Sequence, residues 1–142
     1  MNLDRRQFVA LTAGALGAAL VTGCASHAVS TIEPVDGEVH LALARFPQLS
    51  RPGGWVKIRP AGSASVIYVL ALEPDGIAAL SPICTHLGCT VGVEGPVLVC
   101  PCHGSTYDRE GRVLRGPAER ALRSFPVTRT PTEIVLQLNG PA

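Results

Sequence analysis

Apolar and polar positions change places in short steps along most of this chain. Val39 to Phe46 alternates loosely, and Trp55 to Arg59 and Val66 to Leu72 are brief runs rich in Val, Ile and aromatics. Pro52-Gly53-Gly54 and Glu73-Pro74-Asp75-Gly76 bound them. Short period-two runs punctuated by Gly and Pro predict strands. In Glu73-Pro74-Asp75-Gly76 the proline presets φ and Gly76 takes the position that favours positive φ, so Val66–Leu72 and Ile77–Leu80 are predicted to form a hairpin. Thr90 to Val99 contains Gly92, Gly95 and Pro96, which predicts a tight hairpin with no room for a helix. Arg112–Arg115, Ala121–Val127 and Glu133–Leu138 complete the strands. The expectation is a single, predominantly antiparallel all-β domain over 38–142, with Trp55 and Tyr68 as core aromatics.

The N-terminus breaks this pattern. Asp4-Arg5-Arg6-Gln7-Phe8-Val9 is followed by an uncharged run through Ile32, apolar and rich in Ala and Gly over residues 8–23. A positive segment ahead of a modest apolar stretch reads as an export signal, and the only helix is expected there. The arginine pair resembles a twin-arginine signal, with Asp4 where Ser or Thr is usual and Ala10 where Lys is common. Val21-Thr22-Gly23-Cys24 resembles a lipobox, which makes Cys24 a lipidation candidate. The alternatives are an uncleaved span serving as a membrane anchor, for which the run is long enough, or simple cleavage. Residues 1–24 are thus a signal or anchor and 25–37 a tether. The expected location is exported, membrane-tethered on the periplasmic face of the cytoplasmic membrane.

Composition narrows the class. At 142 residues, 46% hydrophobic, with a formal net charge of +1, the chain has no basic field for nucleic acid. Removing residues 1–23 takes away Asp4, Arg5 and Arg6 and leaves a formally neutral head, so steering by net charge should be weak.

The chemistry is concentrated between Cys84 and Tyr107, which reads CTHLGC, ten residues, then CPCHGSTY. Cys84, His86, Cys89, Cys100, Cys102 and His103 fall inside it. Thiols and imidazoles at this density mean a metal site. The residues alone allow zinc, drawn from Cys84 and Cys89. They also allow a 2Fe-2S cluster in which two His replace two Cys on one iron.

The two boxes CTHLGC and CPCHGS resemble those of the Rieske iron–sulfur proteins, in the form found in quinol-oxidising cytochrome bc and b6f complexes. The resemblance implies one 2Fe-2S cluster, with Cys84 and Cys100 on one iron and His86 and His103 on the other. It implies a Cys89–Cys102 disulfide, a pair that Rieske-type ferredoxins of oxygenase systems lack. It gives Ser105 and Tyr107 the role of hydrogen-bonding a bridging sulfide and a ligand thiolate. Leu87 becomes part of an apolar docking rim, and Gly116-Pro117-Ala118 resembles the proline loop that shields the cluster. Glu119-Arg120 departs from the second proline and apolar residues usual there. The implied fold is small stacked antiparallel sheets with both loops at one tip.

The implied function is one-electron transfer from quinol to a cytochrome c-type acceptor, with His86 and His103 jointly exchanging the proton. Two rivals remain at this level. One is the small Rieske subunit of a periplasmic molybdenum oxidoreductase. The other is a zinc-stabilised binding module without redox activity. His27 and His40 read as surface residues.

Overall fold

A computed structural model describes residues 27–140. It contains strands β1 (Val29–Ile32), β2 (Glu38–Ala42), β3 (Trp55–Pro60), β4 (Ile67–Ala71), β5 (Ile77–Leu80) and β6 (Gly92–Glu94). These are followed by β7 (Val97–Val99), β8 (Thr106–Asp108), β9 (Val113–Arg115), β10 (Ser124–Phe125), β11 (Val127–Arg129) and β12 (Glu133–Gln137). A 3-10 turn at Pro47–Ser50 is the only helical element among the described residues. Three sheets result, ordered β1-β3-β4-β5-β10, β11-β12-β2 and β6-β7-β8-β9. All pairings are antiparallel except β1 with β3.

Strand β4 organises the molecule. All five of its residues are buried, and they divide by parity. Ile67 and Val69 join a core with Val39, Leu41, Val56, Ile58, Ile134 and Leu136. Tyr68 and Leu70 join a second core with Leu80, Cys84, Val91, Leu98, Cys100 and Tyr107. Alternate side chains of a strand point to opposite faces, so the central sheet carries a wholly apolar core on one face and the cysteine loops on the other. Each fully buried Leu or Ile contributes about 1.5–3 kcal/mol.

The predicted hairpin Val66–Leu72/Ile77–Leu80 forms as β4–β5, with Leu70 opposite Ala78. Gly76, however, does not adopt positive φ. Its role is close approach: a Cβ there would lie 3.2 Å from the Leu72 Cβ, where the Leu72 N–H donates to the Gly76 carbonyl at 2.8 Å. The Thr90–Val99 hairpin forms as β6–β7.

Other expectations are corrected. Residues 25–37 do not read as a tether throughout, because Val29–Ile32 pairs in parallel with β3, which takes up its backbone groups. Ala121–Val127 is not one strand: β10 pairs with β5 and β11 with β12. Pro126, which has no N–H for a ladder, stands at the change of sheet. Trp55 is half-buried at the edge of the second core, 5.3 Å from Tyr68 between ring centroids, rather than fully interior. His40 is an exposed residue beside Glu38 and Glu133, and His27 is exposed against the Trp55 ring. The leader 1–24, with Cys24, lies outside the described residues.

Candidate metal centre

Two loops of one backbone design build the site. The first leaves β5 and reaches β6 with Cys84, His86 and Cys89; the second joins β7 to β8 with Cys100, Cys102 and His103. In the first, the Cys84 N–H donates to the Cys89 carbonyl at 2.8 Å and the Gly88 N–H to the Cys84 carbonyl at 2.9 Å. In the second, the Cys100 N–H donates to the Ser105 carbonyl at 2.8 Å and the Gly104 N–H to the Cys100 carbonyl at 3.0 Å. Each loop turns back at a left-handed glycine, Gly88 at φ +82° and Gly104 at +77°, where a side chain would be strained.

The equivalent leading residues, Cys84 and Cys100, are buried with free thiols. The remaining cysteines, Cys89 and Cys102, are joined as a disulfide across the loops, with S–S 2.02 Å. Their sulfurs and Cys100 Sγ lie within 4.8 Å of one another. That trio is not a ligand set, since two of the three atoms are spent on the bridge; it places the bridge beside the Cys100 thiol. The His86 and His103 rings lie edge to face, centroids 4.9 Å apart. His103 is exposed and His86 half-buried, while Leu87 beside it is 68% exposed.

Tyr107 on β8 is fully buried and reaches into the first loop. Its hydroxyl lies 3.2 Å from Cys84 Sγ and accepts the Thr85 N–H at 3.2 Å. Thr85 Oγ1, also 3.2 Å from that hydroxyl, donates to the Arg120 carbonyl at 2.6 Å. A thiolate is the stronger acceptor for the Tyr107 proton. Burial pushes the Cys84 thiol up. Bonds from the Tyr107 hydroxyl, the His86 backbone N–H and the Cys100 and Ser105 side chains outweigh it and hold Cys84 below its ordinary value. Tyr107 is pushed up, by burial first and then by Cys84. Ser105 is fully buried, and its Oγ accepts the Ala118 N–H at 3.0 Å, which ties the segment 116–118 to the second loop. Gly116 and Pro117 are exposed above that tie.

The donor set can be tested against a cluster. His86 Nδ1 is buried without a hydrogen-bond partner. An unmet buried polar atom costs on the order of 1–3 kcal/mol, so this ring nitrogen calls for a partner, and a metal ion would serve. Two free buried thiols and two adjacent imidazoles, one with a nitrogen awaiting a partner, suit a centre with two Cys and two His.

Comparison with known proteins decides the matter. The family model for the Rieske [2Fe-2S] domain matches residues 41–126. The chain belongs to the Rieske [2Fe-2S] domain family. A Rieske domain carries one 2Fe-2S cluster, which sets the zinc reading aside.

Among relatives, the Rieske chain is 30% identical to the cytochrome b6-f complex iron–sulfur subunit of Chlorobaculum tepidum, over 97% of this chain and 77% of the relative. It is 43% identical over 81 residues to a same-named subunit of Prochlorococcus marinus, over 49% of this chain and 46% of that one. It thus matches about half the length of most of these relatives. Among solved structures, the plasma membrane Rieske protein of Synechocystis PCC 6803 superposes with a TM-score of 0.55 at 28% identity, covering 68% of this chain and 94% of that chain. The carbazole 1,9a-dioxygenase oxygenase–ferredoxin complex, at 19% identity and a TM-score of 0.58, shares the fold. Among the described residues no helix is long and apolar enough to cross a membrane.

Sequence reasoning missed one residue of this Rieske site, and a backbone clamp at the far end of the β6–β7 hairpin from it. Thr85 joins Tyr107 to Arg120, and its place between Cys84 and His86 was the available signal. Arg109 clamps the carbonyls of Gly95 (2.6 Å), Gly53 (2.8 Å) and Gly54 (3.2 Å). No local motif marks it, because its partners lie 14 and more residues away.

Proposed function

We propose that this Rieske domain is a high-potential one-electron carrier, taking electrons from a quinol and passing them to a c-type cytochrome. We place it in a membrane-associated cytochrome complex, on the outer face of the cytoplasmic membrane. Cys84 and Cys100 would hold one iron and His86 and His103 the other; bound there, the cluster supplies reversible one-electron chemistry. The observation that carries the reading is the covalent Cys89–Cys102 link between the loops, the pair that accompanies the quinol-linked Rieske proteins. The relatives named as cytochrome b6-f iron–sulfur subunits support it.

The surrounding residues have separable tasks. The Tyr107 hydroxyl, and the Ser105 hydroxyl proton that the Ala118 contact leaves free, donate toward sulfur and favour its more electron-rich state. The disulfide and the segment 116–118 keep water from the thiol side. His103, exposed, and His86 offer ring nitrogens to a quinol hydroxyl. Metal charge makes the remote N–H of a ligand imidazole more acidic, and more so when the metal is oxidised, so reduction should bring proton uptake. Anchoring through Cys24 belongs to the same proposal, and mass spectrometry of the mature N-terminus tests it: a free Met1 on the membrane-bound form excludes lipidation.

A redox titration across pH tests the reading. The midpoint should lie above roughly +100 mV, in the upper part of the Rieske span, and should fall as pH rises through the imidazole range. A pH-independent midpoint near the lower end of that span, about −150 mV, would place the chain with low-potential carriers.

A further inference from the structure

The described head is formally neutral, yet its charges are unevenly committed. Between Cys84 and Arg123 stand five arginines and four acids, Glu94, Asp108, Glu110 and Glu119. Arg109 is spent on backbone carbonyls, and Arg112 pairs with Asp108 and Glu110. Arg123 lies over the Phe125 ring, 5.0 Å from its centroid. Arg115 and Arg120 are exposed and make no ion pair among the described residues; Glu119, between them in sequence, is likewise exposed and unpaired, so the segment 115–120 carries two uncommitted cations against one uncommitted acid.

Both are rooted at the metal loops. Arg115 is the register partner of Thr106, just past His103, and a bulge in the β8–β9 pairing leaves Leu114 and Arg115 both facing solvent. The Arg120 carbonyl is held by Thr85, between Cys84 and His86. The segment between these arginines is pinned by Ser105. One exposed arginine is therefore anchored by its backbone beside each loop, and Leu87 (68%) and Leu114 (59%) are exposed in the same region of the chain. An apolar contact bordered by unpaired cations complements a surface that sets carboxylates around an apolar centre.

We propose that Arg115 and Arg120 make the histidine tip a docking surface for an acidic redox protein. The proposal rests on the electron-carrier reading above and names the charge class of its acceptor. In the exchange the reduced centre gives up one electron and a ferric haem becomes ferrous, with no other co-reactant. A membrane presenting anionic headgroups would answer the same charges, but the arginines border the two ligand loops and their exposed leucines, where an electron acceptor must approach.

The probes are a basic mitochondrial-type cytochrome c and its succinylated, acidic derivative. Binding is measured by calorimetry at low ionic strength, and oxidation of the reduced protein by stopped flow. The succinylated form should bind more tightly and react about tenfold faster than the basic form, with the difference vanishing at high salt. In Arg115→Gln/Arg120→Gln the preference should collapse while the cluster's EPR signal is unchanged. Equal binding of both forms, or a preference for the basic one, by a protein with an intact EPR signal would overturn the docking proposal and leave the carrier reading standing. So would arginine-dependent sedimentation with phosphatidylglycerol vesicles without preference between the cytochromes. Absence of the EPR signal would instead count against the carrier reading.

Discussion

Tyr107 is the side chain on which the potential should depend most directly. Its hydroxyl, 3.2 Å from Cys84 Sγ, stabilises charge that grows on reduction, so Tyr107→Phe should lower the midpoint. A bond worth about 1.4 kcal/mol more in the reduced state corresponds to about 60 mV for one electron. Titration of a variant that keeps its EPR spectrum checks this, and an unchanged midpoint would remove the tuning role. Asp108 makes a different prediction. Burial pushes its carboxyl up, but the Arg112 side chain and the N–H groups of Arg112 and Glu110 outweigh that and hold it below the ordinary carboxylate range. Its folded value being depressed, its stabilisation is present above the unfolded value and is lost as pH falls through the folded one. Asp108→Asn should therefore be less stable than the wild type at pH 7, by denaturant titration, and the gap should close in strong acid. Both tyrosine and aspartate were visible in the sequence as residues, but only Tyr107 stood near a motif that gave it a task. Asp108 carried no such mark, because its Arg112 partner could equally have pointed to solvent.

The paired loops show what an element can and cannot reveal in advance. Their cysteines and histidines were legible because metal chemistry restricts residue type and spacing. Their shared backbone closure was not, since it rests on N–H to carbonyl bonds that any residue can make. The same holds for Ala121–Val127, whose alternation runs unbroken through Pro126 although the hydrogen bonds change sheet there. Strand β1 was hidden because a parallel edge pairing needs only backbone. The Cys89–Cys102 bridge is the one covalent feature of the pair of loops, with a sequence separation of 13. A closed loop of that size should contribute about 3 kcal/mol. The Cys89→Ala/Cys102→Ala variant should unfold at lower denaturant by that amount, and its cluster should be lost faster on dilution into chelator. Equal stability would mean that backbone closure alone holds the loops.

At the scale of the molecule, β4 explains why a small all-β head can carry a metal site at all. Its parity split gives one face a closed apolar core, Val39, Leu41, Ile58, Ile134 and Leu136 among it, that needs no metal. The other face packs Cys84 and Cys100 among Leu80, Leu98 and Tyr107, so the thiols are positioned by ordinary burial. The all-β class was readable from period-two runs; the sharing of one strand between two cores was not, because a fully buried strand shows no polar face to alternate against. The account turns on mixed sulfur and nitrogen ligation of two irons by Cys84, Cys100, His86 and His103. EPR of the reduced protein grown with 15N-histidine tests it most directly. It should show a 2Fe-2S signal with hyperfine coupling to two histidine nitrogens, abolished in His86→Ala and in His103→Ala. A reduced protein that is EPR-silent, or whose signal carries no histidine coupling, would contradict it.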